Sequence, residues 1–551
     1  MHPSPAEPVL VPDLLHASAH TRIDLANTKL AMALAFAGGA SGGLFTDALD
    51  RAMVAPSSWD AEAYARDLFL PQFVALCFEV RIGQETPALA TRHLIKVLRC
   101  PPDDVATIHH RRTILAELVA SPTLRRSLER SYLSLGRFRV LLEGATEGAG
   151  WDPNRRRLDI LTAIKELIDG MAEGFATARS GLARLGAFGR RVRAGEPYRA
   201  LSDLLDHDAN LATVNLTVRV GADGKVRNFE ILAVQPNDAN PFTGSVWGRW
   251  LAKLALFVRG YHFGEDEIVA RLIDTVFDGL QDDVVHFVQL LGDMEFYLGA
   301  LGFRDRALAA GLDVCLPTLV GPEQPRALEG LFNPLLLAHG VAPIPCNLHT
   351  DRHTTTVLVT GPNSGGKTRL LQSVGLSQLL AQSGVFVPAR AGTMALARGL
   401  VVSLLQEMRA DQSEGRLGME LSRIRELFER LPPGAMVLLD ELCSGTNPSE
   451  GEEIFELVLQ MLARLEPFAF ITTHFLAFAA RLEKTRSIAQ LRFLRAELGA
   501  QGDPTYQFVP GVAHTSLAGQ AAKRLGVTRD QLMDLVERNI RRMPHAPKQN
   551  G

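Results

Sequence analysis

Apolar residues recur at three- and four-residue spacings from about Asp60 to Arg193, the period of helices that bury one face. Ile114, Leu115, Leu118 and Val119, continued by Leu124, Leu128, Leu133 and Leu135, predict a helical array between Thr107 and Arg139. Leu158, Ile160, Leu161, Ile164, Leu167, Ile168 and Met171 predict a further helix. The period then drops to two. Val214, Leu216, Val218 and Val220 alternate with Asn215, Thr217 and Arg219, the turn residues Gly221-Ala222-Asp223-Gly224 follow, and Phe229, Ile231 and Val234 form a second apolar run. That is the pattern of a β-hairpin. Helical spacing returns after Pro241 and is clearest from Ile268 to Leu301. From about Leu331, apolar strands alternate with amphipathic helices: Thr356–Thr360, Thr368–Ser383, Val437–Leu439, Phe468–Thr472. Such alternation predicts a mostly parallel sheet covered by helices.

These changes of period predict a multidomain chain. Residues 1–60 form an N-terminal segment without an assigned role, and 61–200 a first helical part. A β insert at 201–245 divides it from a second helical part at 246–330, and an α/β domain fills 331–551. The length of 551 residues agrees, since one core serves roughly 150 residues. With 46% hydrophobic and 22% charged residues the chain is neither disordered, collagenous nor a simple coiled coil.

A net charge of −3 gives no global basic field, so any polyanion site must be a local patch. Residues 101–200 hold 17 Lys/Arg against 12 Asp/Glu, whereas Arg199 to Asp238 holds four basic residues against six acidic ones. The five cysteines lie far apart and form no CxxC pair, which argues against a zinc ribbon or disulfide scaffold and fits a reducing compartment. Glu7, Asp13 and Asp24 interrupt any export signal. The uncharged stretch from Leu30 to Phe45 is short for a bilayer and rich in glycine, so it predicts a buried helix followed by a loop. A cytoplasmic protein without a membrane partner is expected.

Three segments carry chemistry. GPNSGGKT comprises Gly361, Pro362, Asn363, Ser364, Gly365, Gly366, Lys367 and Thr368, and satisfies G-x-x-x-x-G-K-[ST] between an apolar strand and a helix. Glycines let backbone N–H groups turn inward around phosphate oxygens. Lys367 places a cation on the β/γ-phosphates, the Thr368 hydroxyl suits Mg²⁺, and the helix start adds its positive end. In AMVLLDELCSGTNPSEG an apolar strand ends in Asp440, a magnesium ligand, and Glu441, a general base for an attacking water. A third strand ends in Thr472-Thr473-His474. A histidine there is ordinarily a surface group, but the carboxyl edge of a parallel sheet is where ligands sit, so His474 is a further catalytic candidate.

The loop 361–368, AQSGVFVPA (Ala381 to Ala389), DELCSGTNPSEG and ITTHF (Ile471 to Phe475) together resemble the ATPase domain of the MutS family over about 331–545. GDMEFYLGALGFRDRAL (Gly292 to Leu308) resembles the end of that family's lever helices. The resemblance implies a P-loop ATPase domain of the ABC class, using ATP and Mg²⁺, with nucleotides sandwiched in a homodimer. It also implies a helical core and lever with a clamp-like β insert, duplex or branched DNA as partner, and a role in mismatch repair or recombination control. The basic segment 101–200 would supply the DNA contact, and a C-terminal helix holding Leu532, Leu535 and Val536 behind Thr528 would pack across the dimer.

Two departures qualify this. No Phe-x-Glu mismatch wedge occurs in residues 1–100, and no LDLHG-type motif of the Smr-tailed branch occurs through Gly551. In the signature stretch Glu407 to Leu421, Glu420 has a counterpart, but no Ser-x-Phe precedes it and Ser413 is out of register. Losing one hydrogen bond to a charged phosphate, worth about 1.5–3 kcal/mol, predicts a slow, dimer-dependent ATPase. The acidic hairpin keeps a second reading open: a nucleotide-switched module acting on a protein or ribonucleoprotein partner, without a DNA role.

Overall fold

Asp104 starts the helix Val105–Ala120 by accepting the amides of Ala106 and Thr107. Ser121 ends it and caps the next helix, Pro122–Glu143, whose first position is the proline that tolerates a missing N–H. The apolar run from Ile114 to Leu135 is therefore two helices, and Val119, at the break, is exposed. The computed structural model describes residues 11–38, 42–144, 153–208, 212–220, 226–236, 265–404, 416–443, 448–499, 503–513 and 529–542. By internal contacts the chain divides into two units, Met1–Pro56 with Phe78–Phe303 and Ser57–Cys77 with Arg304–Gly551.

The first unit is helical. Leu158, Ile160, Leu161, Ile164, Leu167, Ile168 and Met171 line the buried face of the helix Pro153–Gly174, as their spacing predicts. Helical spacing after Pro241 resolves into Glu265–Val284 and Phe287–Ala309. From Phe287 to Leu301 the second of these is buried on every side, including Gln289, Asp293 and Glu295. Buried charge must be paired: Asp293 pairs with Arg22 and accepts the Leu14 amide at 2.9 Å. Glu295 accepts the Ala90 amide at 2.7 Å and the Tyr132 hydroxyl at 3.2 Å. The helix Leu25–Phe36 buries Met32, Ala35 and Phe36 but leaves Leu30 and Leu34 exposed, so it is buried on one face rather than wholly. The hairpin pairs β1 (Ala212–Val220) antiparallel with β2 (Val226–Pro236), with Val220 opposite Val226. Its turn at 221–225 lies outside the described residues.

The second unit is α/β. Its strands are β3 (Thr318–Val320), β4 (Arg326–Leu331), β5 (Cys346–Thr350), β6 (Thr356–Thr360), β7 (Ala391–Ala395), β8 (Leu400–Ser403), β9 (Met436–Leu439), β10 (Phe468–Thr472), β11 (Leu491–Leu498) and β12 (Pro504–Pro510). Six form a sheet of order β12-β11-β6-β10-β9-β8, parallel except for β12 at one edge. The other four form a mixed sheet of order β3-β7-β4-β5. Leu358, Val437, Leu439 and Ile471 share a core with Phe455, Val458, Leu459 and Leu462 of the helix Pro448–Arg464 and with Phe478 and Leu482 of the helix Leu476–Thr485. Alternate residues face the other way, where Leu438 meets Gly375 of the helix Lys367–Ser383. That helix is buried along most of its length, where Ser377 donates to the Ser373 carbonyl at 2.8 Å and the Gln378 amide to that of Ala395 at 3.0 Å. No described helix is long and apolar enough to cross a membrane.

Candidate functional site

β6, in the middle of the six-stranded sheet, delivers the loop 361–366 to the start of the helix Lys367–Ser383. Gly361 has φ +136° and Gly366 φ +83°, values that a Cβ would strain. A Cβ on Gly361 would also lie 2.8 Å from that of Ala496. Between them Asn363–Gly365 makes one 3₁₀ turn, which brings the following amides to the helix N-terminus. Lys367 is buried, and its Nζ donates to the carbonyls of Gly361 at 2.9 Å and Pro362 at 3.1 Å. Burial pulls its ammonium below the ordinary lysine range, against the opposing attraction of Glu441 and Asp440.

The acid pair stands at the end of β9, two strands from the loop. Thr368 Oγ1 donates to Asp440 Oδ2 at 2.5 Å. The other oxygen of Asp440 accepts from the Thr472 hydroxyl, the last residue of β10, and Thr472 Oγ1 in turn accepts the Glu441 amide at 2.8 Å. One threonine thus orients Asp440 and holds the backbone of Glu441. Both Glu441 (φ +51°) and Cys443 (φ +61°) occupy the left-handed region, a strain that side chains tolerate where surrounding structure enforces it. The Cys443 thiol is pushed up to about 12 by burial and by the Glu420 carboxylate it faces. His474 follows on the same carboxyl edge but is exposed, with its ring 4.2 Å from that of Phe475.

The loop residues, Thr368, Asp440 and Glu441 are therefore gathered at one sheet edge, and Thr472 is the member that sequence reasoning missed. It lies inside the ITTHF run, where attention to the histidine hid the hydroxyl two residues earlier. A cavity of about 640 Å³ opens beside Ser364, Gly366, Lys367 and Thr368, walled by Phe69, Phe332, Ile344, Tyr506 and Phe508 among others. Its walls come from five separate stretches of chain, so no local pattern announces it. A smaller cavity of about 210 Å³ adjoins Asp440 and Glu441 and is lined by Arg66, Asp67, Glu420 and Arg423. Ser413 with the rest of 407–415, residues 444–447 of the acidic block, and 514–528 lie outside the described residues.

Most arginines of the basic segment are engaged within their own unit. Arg156 donates to the carbonyls of Ala35, Phe36 and Leu142, and Arg111 to that of Leu15. Arg125, Arg139, Arg157 and Arg191 pair with Glu129, Glu143, Asp274 and Asp283. Arg126 and Arg130, one turn apart on the helix Pro122–Glu143, stay exposed and, among the described residues, donate only to backbone carbonyls of that helix.

Residues 357–541 match MutS domain V. Endonuclease MutS2 of Streptococcus mutans is 32% identical over 266 residues, covering 47% of this chain and 32% of that protein. Endonuclease MutS2 of Thermomicrobium roseum is 28% identical over 279 residues, 48% and 34% of the two chains. That of Thermus thermophilus is 34% identical over 182 residues, 33% and 24%. The chain spans about a third of the length of the first two of these curated relatives and less of the last. Its loop, acid pair and six-stranded sheet fall in the matched region, and the likeness of that region to MutS domain V and to the MutS2 proteins supports a divergent MutS-family member.

Proposed function

We propose that this protein binds ATP at the loop 361–368 and hydrolyses it slowly as a homodimer, using the nucleotide state to switch its hold on DNA. The observation that carries this reading is the contact of Thr368 Oγ1 with Asp440 Oδ2 beside the loop. A hydroxyl from the first turn of the helix Lys367–Ser383 and a carboxylate from the end of β9 meet there and form the hard-oxygen donor set that Mg²⁺ prefers. Thr368 and Asp440 would hold that ion, which when bound neutralises charge on the β- and γ-phosphate oxygens.

The protein's own groups do the rest. Lys367 exchanges the carbonyls of Gly361 and Pro362 for phosphate oxygens, and the loop amides complete the cradle. Glu441, its backbone fixed by Thr472, accepts a proton from the water that attacks the γ-phosphorus as the bridging oxygen leaves with ADP. His474 stands on the same edge and would orient that water or the phosphate. The 640 Å³ cavity is large enough for a nucleoside, and its aromatic walls suit a base. Leu532, Met533, Leu535 and Val536 are each between 43% and 52% exposed on the helix Arg529–Arg542, an apolar face suited to a second copy.

DNA is the partner the family likeness supports, with the helical unit as the contacting part. The engagement of most basic-segment arginines favours a second reading, a nucleotide-switched grip on a protein or ribonucleoprotein. A gel-shift panel of homoduplex, mismatch, junction and structured RNA, with and without ATP, separates the two. Phosphate release over a range of protein concentrations tests the enzyme: turnover per chain should rise with concentration and vanish in Glu441→Ala. Rapid turnover independent of concentration would contradict a dimer-dependent site.

A further inference from the structure

The segment Ser57–Cys77 belongs to the α/β unit although more than two hundred residues separate it from the rest of that unit. Its contacts run along the edge and top of the six-stranded sheet. Trp59 is buried and its indole N–H donates to the Ala397 carbonyl at 3.3 Å, just before β8. Asp67, 3% exposed, accepts the amide of Leu404, the residue after β8, at 2.7 Å. Leu68 is fully buried against Gly375 of the helix that follows the loop. Next comes Phe69, with φ +53°, a left-handed backbone that a bulky aromatic adopts only when its surroundings force it. That conformation puts Phe69 on the wall of the 640 Å³ cavity, which Leu404, Lys367 and Thr368 also line.

We propose that Phe69 contacts the bound nucleotide, and that Asp67 is a positioning residue that holds Leu404 on the same wall. The inference rests on the nucleotide reading of the cavity given above. It adds a part of the site supplied by the N-terminal region rather than by the matched domain. Phe69 closes the turn before the helix Leu70–Cys77, where its N–H donates to the Arg66 carbonyl and that of Leu70 to the Ala65 carbonyl, each at 2.9 Å, and this turn leaves the side chain at the cavity wall beside Lys367 and Thr368. Nucleotide in the cavity would cover its ring and damp the motion of the segment.

Hydrogen exchange and ATP titration on the full chain test this together. In the wild type, ATP with Mg²⁺ should slow exchange of amides in 66–73 as well as in 361–370, and neither should change in Lys367→Ala. Phe69→Ala should weaken ATP binding about tenfold, the loss of one aromatic contact, while Phe69→Leu stays within about threefold. Normal binding by Phe69→Ala, or protection of 361–370 with none in 66–73, overturns the proposal while leaving the nucleotide reading intact. A wild type that binds no ATP overturns both. If Phe69→Ala does not fold, the exchange pattern of the wild type and the Leu variant decide.

Discussion

Thr368 and Asp440, 72 residues apart in sequence, share a hydrogen bond of 2.5 Å. The bond ties the first turn of the helix after the loop to the end of β9, across the intervening β10, whose last residue Thr472 grips the other carboxylate oxygen. A carboxylate held from both sides keeps a fixed geometry before any ion or nucleotide arrives.

Thr472→Val should therefore damage hydrolysis more than binding. The change removes a hydroxyl at nearly constant volume and frees both Asp440 and the Glu441 amide. A lost hydrogen bond to a charged group, about 1.5–3 kcal/mol, predicts a fall in kcat of roughly ten- to a hundredfold. ATP affinity should change less than threefold, which steady-state phosphate release and equilibrium titration would show. An unchanged kcat would mean that Thr472 is ordinary strand packing.

Glu295 links pH to stability in the helical unit. Burial raises its carboxyl to about 7, from an ordinary 4.5, against the amide of Ala90 and the hydroxyl of Tyr132. A folded pKa above the unfolded one means that the native state holds the proton more tightly. Its contribution is therefore complete below pH 4.5 and disappears as pH rises through about 7. Glu295→Gln should match the wild type near pH 4.5 and be more stable above pH 7, by up to about 3 kcal/mol. Urea unfolding at the two pH values measures it; parallel curves for the two proteins would refute it.

Dimer formation should depend on the C-terminal helix. Leu535→Glu with Val536→Glu alters residues that are 47% and 51% exposed, so folding should survive. Sedimentation with ATP should show a monomer, and turnover should lose its dependence on protein concentration. A variant that still dimerises would place the interface elsewhere.

If DNA binds through the helical unit, the exposed pair Arg126 and Arg130 should carry part of the contact. Replacing both with serine should lower the slope of log affinity against log salt by about 2, at about 0.9 per phosphate contact. A slope equal to the wild type's would exclude these two residues.

Much of this site was legible in the residues themselves. The strands Thr356–Thr360 and Phe468–Thr472 fall where their apolar runs place them, because a central parallel strand is buried on both faces and must be continuously apolar. The loop was legible because glycine and lysine at fixed spacing have few other uses. The four-stranded sheet was not: β7 reads Ala-Gly-Thr-Met-Ala and β4 Arg-Ala-Leu-Glu-Gly-Leu, neither clearly alternating nor continuously apolar. The basic segment misled in its arithmetic, since counting charge cannot see that Arg156 is spent on carbonyls inside the fold. Phe69 was invisible for a different reason. It shares a cavity wall with Thr368, a residue so far along the chain that no window of sequence spans both.

The most direct measurement is calorimetric titration of the purified chain with ATP, with and without Mg²⁺, alongside Lys367→Ala. Saturable binding by the wild type that strengthens with the metal and is lost in the lysine variant is the predicted result. Equal heats from both proteins, or none from either at any salt concentration, would contradict the assignment of loop 361–368 and its acid pair to a nucleotide.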